Sequence, residues 1–317
     1  MKRLLTSVVL ALSLGVMIGG AQQQSPTFRG TSDTVRVFVT VLDRNGRLVT
    51  SLSQDNFEVR DDGKVQPVAV FDNTPQPIQI VVMLDVSGSM AGNLALLRAS
   101  STELFKSLGQ EDVARVGSFG REIEISEVFT RDLHELEDAL PDDIPVNAPT
   151  PLWRAIDQAM DAFDANSDRR RVVLVLSDGK NSDVRFSKRN VSQVEIIDRA
   201  SAEGVMVYAV GLRSRSMAPP QFGGGLAGMS GSMNGDRPDP GLALTAEETG
   251  GGYVEVRPRD DLSATFTRIV RELHSQYLLG YNPPKRDGKP HKIEVRVSAD
   301  GLEPRARKSY VAPKEAK

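Results

Sequence analysis

One carboxylate and two hydroxyls follow a strongly apolar segment of this sequence. Asp85, Ser87 and Ser89 stand at alternate positions directly after residues 78–84, which have the length and branched side chains of a buried central strand. In open α/β sheets, ligands bind at the carboxyl ends of the strands. Oxygen is the donor that Mg²⁺, Mn²⁺ and Ca²⁺ prefer, and neither Cys nor His lies nearby, which argues against zinc. The segment therefore predicts a site for a hard divalent cation.

Two later residues extend the same pattern. Thr150 opens a helical segment and is placed like a helix N-cap, with its hydroxyl free to point outward. Asp178 closely follows a second buried strand, residues 172–176. The alternative interpretation is a Ser-rich turn that caps the next helix and holds no metal. In that case the order of Thr150 and Asp178 would be a coincidence.

These residues together match a known metal motif. The set Asp85, Ser87, Ser89, Thr150 and Asp178 resembles the metal-ion-dependent adhesion site of von Willebrand factor A (VWA) domains, whose pattern is Asp-x-Ser-x-Ser, then a Thr, then an Asp. The resemblance implies that the three hydroxyls touch the metal, while the two carboxylates act through water in some states. It implies Mg²⁺, with Mn²⁺ or Ca²⁺ as alternatives. Neutral hydroxyls leave much of the charge of the ion unbalanced, so the expected ligand is an Asp or Glu carboxylate on a partner protein.

The resemblance extends over nearly the whole chain, from about residue 33 to 313. Residues in this range resemble exported bacterial VWFA-related proteins. The matching stretches are residues 37–41, 55–59, 85–89, 246–251 and 276–281. The family to which they point has a poorly defined role, so the resemblance implies a fold and a binding site without naming a partner.

Strands alternate with helices from Pro75 onward, which predicts an α/β fold with a doubly wound, mostly parallel sheet of the VWA, Rossmann-like kind. The flanking segments indicate β structure that pairs to form a small sandwich-like domain, into which the α/β domain is inserted. The predicted division is a signal peptide at 1–21, an N-terminal β segment at 22–74, a VWA domain at 75–276 with a flexible loop at 213–240, and a C-terminal β segment at 277–317.

Four local expectations accompany this division. A helix is predicted over residues 151–166, and a single last strand over residues 305–311. The three consecutive arginines 169–171 are expected to be a solvated cap near a helix end. Trp153 is expected to pack against a neighbouring helix, with a place on a partner-facing rim as the alternative.

The first 21 residues have the pattern of a secretory signal peptide. A basic start at Lys2 and Arg3 precedes the apolar residues 4–18, and small residues end at Ala21, after which we expect cleavage. An uncleaved anchor is the alternative. The expected location is therefore the periplasm or the exterior, with no membrane span after cleavage.

Charge and cysteine content exclude several classes of function. The net charge is −3, and loss of residues 1–21 would remove two basic residues and no acidic one. An acidic protein has no electrostatic basis for binding nucleic acid. The absence of cysteine excludes disulfides and thiol chemistry.

An enzyme is the rival class of function. A magnesium ion in an α/β fold can serve a hydrolase or a phosphoryl-transfer enzyme. Such chemistry needs a nucleophile or base beside the ion, yet His134, His274 and His291 all lie outside the three metal-bearing loops, and the sequence has no Gly-x-Ser-x-Gly elbow and no P-loop. We therefore expect a divalent-cation-dependent, adhesion-type binding module that is not an enzyme.

Overall fold

A six-stranded, mostly parallel sheet forms the centre of the molecule. This computed structural model describes residues 34–164, 167–182, 190–213, 238–257 and 259–315. The strands of the central sheet are β5 (Ile78–Asp85), β6 (Val113–Phe119), β7 (Ile123–Ile125), β8 (Arg170–Ser177), β9 (Met206–Leu212) and β10 (Tyr253–Val256). Their order is β10-β9-β8-β5-β6-β7, and only β7 runs antiparallel to its neighbour.

The middle strands are mostly apolar because both of their faces are covered. Every residue of β5 and of β9 is buried. Alternate residues of β5 point to opposite faces, so that Ile80 and Val82 belong to one hydrophobic core while Val81 and Met83 belong to another.

In the described part of the chain, six helices cover the two faces of this sheet. They are α1 (Leu94–Lys106), α2 (Leu133–Asp138), α3 (Leu152–Asp161), α4 (Gln193–Glu203), α5 (Gly241–Thr249) and α6 (Leu262–Leu273). Side chains of α1, α2 and α6 contribute to the first core, and those of α3, α4 and α5 to the second. The fold is therefore a doubly wound α/β arrangement with a mostly parallel central sheet, and the predicted fold class is confirmed.

Two further four-stranded sheets combine strands from both ends of the chain. Their strands are β1 (Val35–Asp43), β2 (Phe57–Asp61), β3 (Lys64–Gln66), β4 (Val70–Asp72), β11 (Tyr277–Tyr281), β12 (Pro290–Val297), β13 (Leu302–Arg305) and β14 (Ser309–Val311). One sheet has the order β13-β1-β11-β4 and the other β14-β12-β2-β3. A third hydrophobic core joins them and includes Val37, Val59 and Leu279. Residues 33–317 form one compact unit, so the division of this region into domains stays a prediction.

Two predicted elements differ from the structure. The helix expected over residues 151–166 ends at Asp161. In the strand expected over residues 305–311, Arg305 is the last residue of β13, residues 306–308 lie outside any strand, and residues 309–311 form β14 in a different sheet. The reason is tertiary, because the backbone N–H of Lys308 between them donates to the carbonyl of Glu248 at the end of α5. A strand pattern in the sequence does not show such a crossing between sheets.

The arginine run also differs from its expectation as a solvated cap. Arg170 is only 5% exposed, and its guanidinium donates to the backbone oxygen of Leu273 (2.7 Å) and to the side chain of Gln276 (2.5 Å). It therefore caps the carboxyl end of α6, a helix that is distant in sequence. Trp153 packs in the second hydrophobic core, as expected.

Two sequence predictions fall largely or wholly on residues outside the described ranges. The signal peptide at 1–21 lies outside them, as does most of the flexible loop predicted at 213–240. Within the described ranges, no helix is long and apolar enough to cross a membrane.

Candidate metal centre

The predicted ligands come together at one edge of the central sheet. Parallel pairing places Leu84 opposite Leu176, so the loops that follow β5 and β8 leave the sheet side by side. Asp85 is the last residue of β5, and Asp178 directly follows β8. This edge is the carboxyl end of the strands, where the sequence predicts the site.

Hydrogen bonds link the Asp85 loop to Asp178. The hydroxyl of Ser89 donates to Oδ1 of Asp178 (2.7 Å) and lies 3.1 Å from the hydroxyl of Ser87. The backbone N–H of Ser87 donates to Oδ1 of Asp85 (2.8 Å). These four predicted ligands thus form one continuous polar cluster.

Thr150 lies beside the cluster, although it is not a helix cap. The N-cap position of α3 is Pro151, and no side chain caps this helix. Instead, Thr150 makes two hydrogen bonds with Ser182. The backbone N–H of Thr150 donates to the hydroxyl of Ser182 (2.9 Å), and the backbone N–H of Ser182 donates to the carbonyl of Thr150 (3.0 Å). Its hydroxyl lies against Gly179, where an added Cβ would be 3.0 Å from Oγ1. The structure therefore places the Thr150 hydroxyl next to the loop that carries Asp178.

Burial dominates the electrostatics of the two carboxylates. Asp85 is 0% exposed and Asp178 is 3% exposed. Burial raises the pKa of Asp85 to about 6, against hydrogen bonds from Ser177 and Ser87 that lower it, and the charge of Asp178 raises it further. Burial also raises the pKa of Asp178.

One oxygen of the cluster is left without a partner. Oδ2 of Asp178 is buried and has no hydrogen bond within the described part of the chain. An unsatisfied buried carboxylate oxygen is costly unless something else neutralises it. Ser89 is exposed, so the cluster is open to solvent on the side where an ion would enter. Oxygen donors, buried negative charge and an unpartnered Oδ2 together fit a hard divalent cation.

Ser177 is a member of the cluster that the sequence analysis missed. Its hydroxyl donates to Oδ2 of Asp85 (2.5 Å) and accepts from the N–H of Gly179 (3.2 Å). It fixes the Asp85 carboxylate and shapes the turn into the Asp178 loop. Its position, directly before Asp178 at the end of a buried strand, is the signal that could have indicated it.

A second group with metal-ligand chemistry lies elsewhere, in the sheet of β2 and β12. Asp61, Asp62 and His291 each offer an atom within 4.8 Å of the others. Both oxygens of Asp61 already have partners, because Oδ1 pairs with His291 (2.8 Å) while Oδ2 accepts from Tyr281 and Tyr310 (3.0 and 2.6 Å). This group is a satisfied hydrogen-bond network, unlike the cluster at Asp178.

The comparisons with known proteins agree with this geometry. Residues 80–180, which span β5 to the Asp178 loop, match the family model of the von Willebrand factor type A domain. This part of the chain is similar to a VWA domain. The matched residues include all five predicted ligands. No curated protein matches the sequence.

Solved structures of low identity resemble the VWA fold seen here. A von Willebrand factor type A protein from Catenulispora acidiphila is 12% identical, with a TM-score of 0.49, and the match covers 90% of this chain and 76% of that one. An aerotolerance-related membrane protein from Bacteroides fragilis is 18% identical, with a TM-score of 0.46 and coverage of 62% and 98%. Proximal thread matrix protein 1 from the mussel byssus, with zinc in its adhesion-site motif, is 17% identical, with a TM-score of 0.46 and coverage of 64% and 49%.

Proposed function

We propose that the VWA domain binds a divalent cation, Mg²⁺ in the first place and Mn²⁺ or Ca²⁺ as alternatives, through the cluster at Asp85. VWA domains are generally metal-dependent protein-interaction modules. The observation that carries the proposal is the state of the Asp178 carboxylate. Its Oδ1 accepts a hydrogen bond from Ser89, while its buried Oδ2 has no partner among the described residues. A cation at this point would neutralise two buried carboxylates and satisfy that oxygen. The hydroxyls of Ser87, Ser89 and Thr150 would complete the protein's share of the ligands.

We further propose that the bound ion captures a carboxylate of a partner protein. A hard cation takes six or more oxygens, which exceeds the five side chains present here. Three of those side chains are neutral, so the ion keeps an attraction for one more anionic ligand. An Asp or Glu side chain of a partner provides both the missing oxygen and the charge.

The proposed function is a binding role, with a magnesium-dependent hydrolase or phosphoryl-transfer enzyme as the alternative. General acid–base chemistry would need a titratable group within reach of the ion that is not itself one of the proposed ligands. The side chains of His274 and His291 are engaged with Asp112 and Asp61, outside the candidate site. Hydrolysis of a generic phosphate ester by the magnesium-loaded protein, lost in Asp85→Ala, would favour the enzyme.

Titration of the purified protein with Mg²⁺ and with Mn²⁺ tests the metal site. We expect saturable binding of one ion, and no binding to the Asp85→Ala variant, whose circular dichroism spectrum should remain that of the wild type. Asp143→Ala, which changes an exposed acid on the neighbouring 141–145 loop, is the matched control and should keep the affinity of the wild type. Equal binding by the wild type and Asp85→Ala would contradict the site.

Acetate tests the capture of a carboxylate. Because binding linkage is reciprocal, a carboxylate that occupies the open position must raise the apparent affinity for Mn²⁺. We expect acetate, and not acetamide, to produce this increase at constant ionic strength. If acetate and acetamide act alike, the open position does not select carboxylates.

We also propose that the protein is exported, with cleavage after Ala21. The support is the sequence pattern of residues 1–21 alone. N-terminal sequencing of the protein recovered from the periplasm or the medium tests it.

A further inference from the structure

Asp239 connects the loop of the candidate metal centre to the start of α5. Its Oδ2 accepts a hydrogen bond from the backbone N–H of Asn181 (3.0 Å), and its Oδ1 accepts one from the N–H of Gly241 (2.9 Å). Its own N–H donates to the carbonyl of Gly179 (3.3 Å). Two of these three bonds fix residues that directly follow Asp178.

Asp239 is itself held by rigid parts of the fold. Its neighbour Pro238 is buried against Gly211 of β9, where an added Cβ would lie 2.7 Å from the proline ring. Gly211 pairs with Ser177 in the central sheet. Pro238 is thus packed against β9, the strand beside the end of β8 that leads to Asp178.

The chain after Asp239 is equally constrained. At Gly241, an added Cβ would lie 2.7 Å from the ring of Trp153 and 2.9 Å from the side chain of Gln193. The amide of Gln193 also donates to the carbonyl of Gly241 (2.9 Å). The start of α5 therefore has little freedom to move, and Asp239 can transmit that rigidity to the loop.

We infer that Asp239 is a positioning residue of the metal centre, which holds residues 178–182 so that the Asp178 carboxylate stays directed at the ion. This inference rests on the proposed metal binding. A carboxylate suits the role because it accepts two backbone N–H bonds at once, and such charge-assisted bonds are stronger than neutral ones. Without the Asp239 carboxylate, the loop loses its bond at Asn181, while the bond of Gly179 to Ser177 and the bonds of Ser182 with Thr150 remain.

Titration of the purified protein with Mn²⁺ alone tests the inference. We expect Asp239→Ala to weaken the affinity by roughly 10-fold, the low end of the range for residues that directly support a metal ligand, because Asp239 bonds the backbone beside Asp178 and not its carboxylate. Asp239→Asn keeps one acceptor oxygen and should fall between Asp239→Ala and the wild type. Asp261→Ala is the matched control, because Asp261 caps α6 through the N–H of Ala264 (3.0 Å). It should keep the Mn²⁺ affinity of the wild type.

The unfolding temperature of each variant in EDTA separates positioning from general stability. We expect Asp239→Ala and Asp261→Ala to lower it to a similar extent, while only Asp239→Ala loses affinity. Affinity of Asp239→Ala within twofold of the wild type, or an equal loss in Asp261→Ala, would overturn the inference. If Asp239→Ala does not fold, Asp239→Asn carries the same test.

The outcome for the wild type distinguishes this inference from the proposed function. A wild type that does not bind Mn²⁺ overturns both. A wild type that binds, an Asp85→Ala variant that does not, and an Asp239→Ala variant of wild-type affinity overturn the positioning role alone.

Discussion

The folded protein disfavours the charged form of the Asp85 side chain. Its carboxylate is fully buried, and burial together with the charge of Asp178 outweighs the hydrogen bonds that support ionisation, so its pKa rises to about 6. In the proposed metal site, Asp85 has to be charged to bind the cation, and that buried charge lowers the stability of the metal-free protein. Such a conflict between stability and function is common at binding sites.

The Asp85→Asn variant tests this conflict. The isosteric amide can still accept from the N–H of Ser87 and contact the hydroxyl of Ser177, but it removes the buried charge. Above pH 6, where Asp85 is ionised in the folded protein, we expect Asp85→Asn to raise the free energy of unfolding in EDTA by on the order of 1–3 kcal/mol.

The gain of Asp85→Asn should shrink as the pH falls from about 6 towards 4, because the wild-type carboxyl becomes protonated in the folded state. Urea unfolding in EDTA at several pH values measures both effects. Addition of Mg²⁺ should stabilise the wild type and leave the variant unchanged. A variant that is less stable than the wild type at pH 7.5 in EDTA would show that the charge is satisfied by the protein itself.

At the scale of elements, the parallel strands bring the site together and buried polar contacts fix the last helix. The last carbonyls of a helix have no partner within the helix. At the end of α6, Arg170 of β8 donates a hydrogen bond to one of these carbonyls, that of Leu273. Its guanidinium also lies 4.6 Å from the ring centroid of Phe38 in β1. One side chain thus ties a helix, the central sheet and a strand from the beginning of the chain.

The Arg170→Lys variant tests the importance of this cap. A lysine keeps the charge but cannot make two divergent hydrogen bonds while stacking on an aromatic ring. We expect the free energy of unfolding to fall by roughly 2–3 kcal/mol, in line with the loss of hydrogen bonds to a charged group. Urea unfolding measures it. The neighbouring Arg169→Lys is the control, since Arg169 is exposed and its guanidinium donates to the carbonyl of Glu111 (2.8 Å). Losses of equal size would contradict the capping role.

At the scale of the whole molecule, both ends of the described chain meet in the two smaller sheets. β1 lies between β11 and β13, and β2 pairs with β12. We propose that residues 22–74 and 277–317 form a β domain into which the VWA domain, residues 75–276, is inserted. The shared third core supports this proposal.

His291 should make the stability of these sheets depend on pH. Burial disfavours its charged form, but Asp61 on one ring nitrogen and Asp287 on the other (3.2 Å), with Asp62 nearby, favour that form more strongly and raise the pKa of His291 above 6.5. The hydroxyl of Tyr310 also faces the ring at 3.5 Å. A raised pKa means that the stabilisation is fully present below about pH 6.5 and is lost as the pH rises through the folded value.

We therefore expect the unfolding temperature of the wild type to fall between pH 6.5 and 9 by more than that of His291→Gln. Differential scanning calorimetry in EDTA across this range measures the two slopes, and EDTA removes any contribution from the metal centre. His134→Gln, which changes an exposed histidine of α2, should keep the slope of the wild type. Parallel slopes for the wild type and His291→Gln would show that the ring is not charged in the folded protein.

The central strands and the region of the candidate site can be predicted from the sequence alone. The apolar runs within β5 and β8 are recognisable without knowledge of distant partners, because strands covered on both faces must be apolar along most of their length. The carboxyl end of such a strand is a defined place in the fold, so Asp85 and Asp178 could be placed on one edge of the sheet before any coordinates. Whether all five side chains bind a metal stays a prediction.

Which other residues support the carboxyl edge of the central sheet depends on the tertiary structure. Ser177, Ser182 and Asp239 contact the site through hydrogen bonds whose partners lie in other loops, and single polar residues carry no periodic signal. The burial of Arg170 at the end of α6 and the placement of β13 and β14 in different sheets likewise depend on partners that are distant in sequence. Periodicity in a sequence reports which face of an element is buried, whereas the choice of partner depends on how distant elements pack.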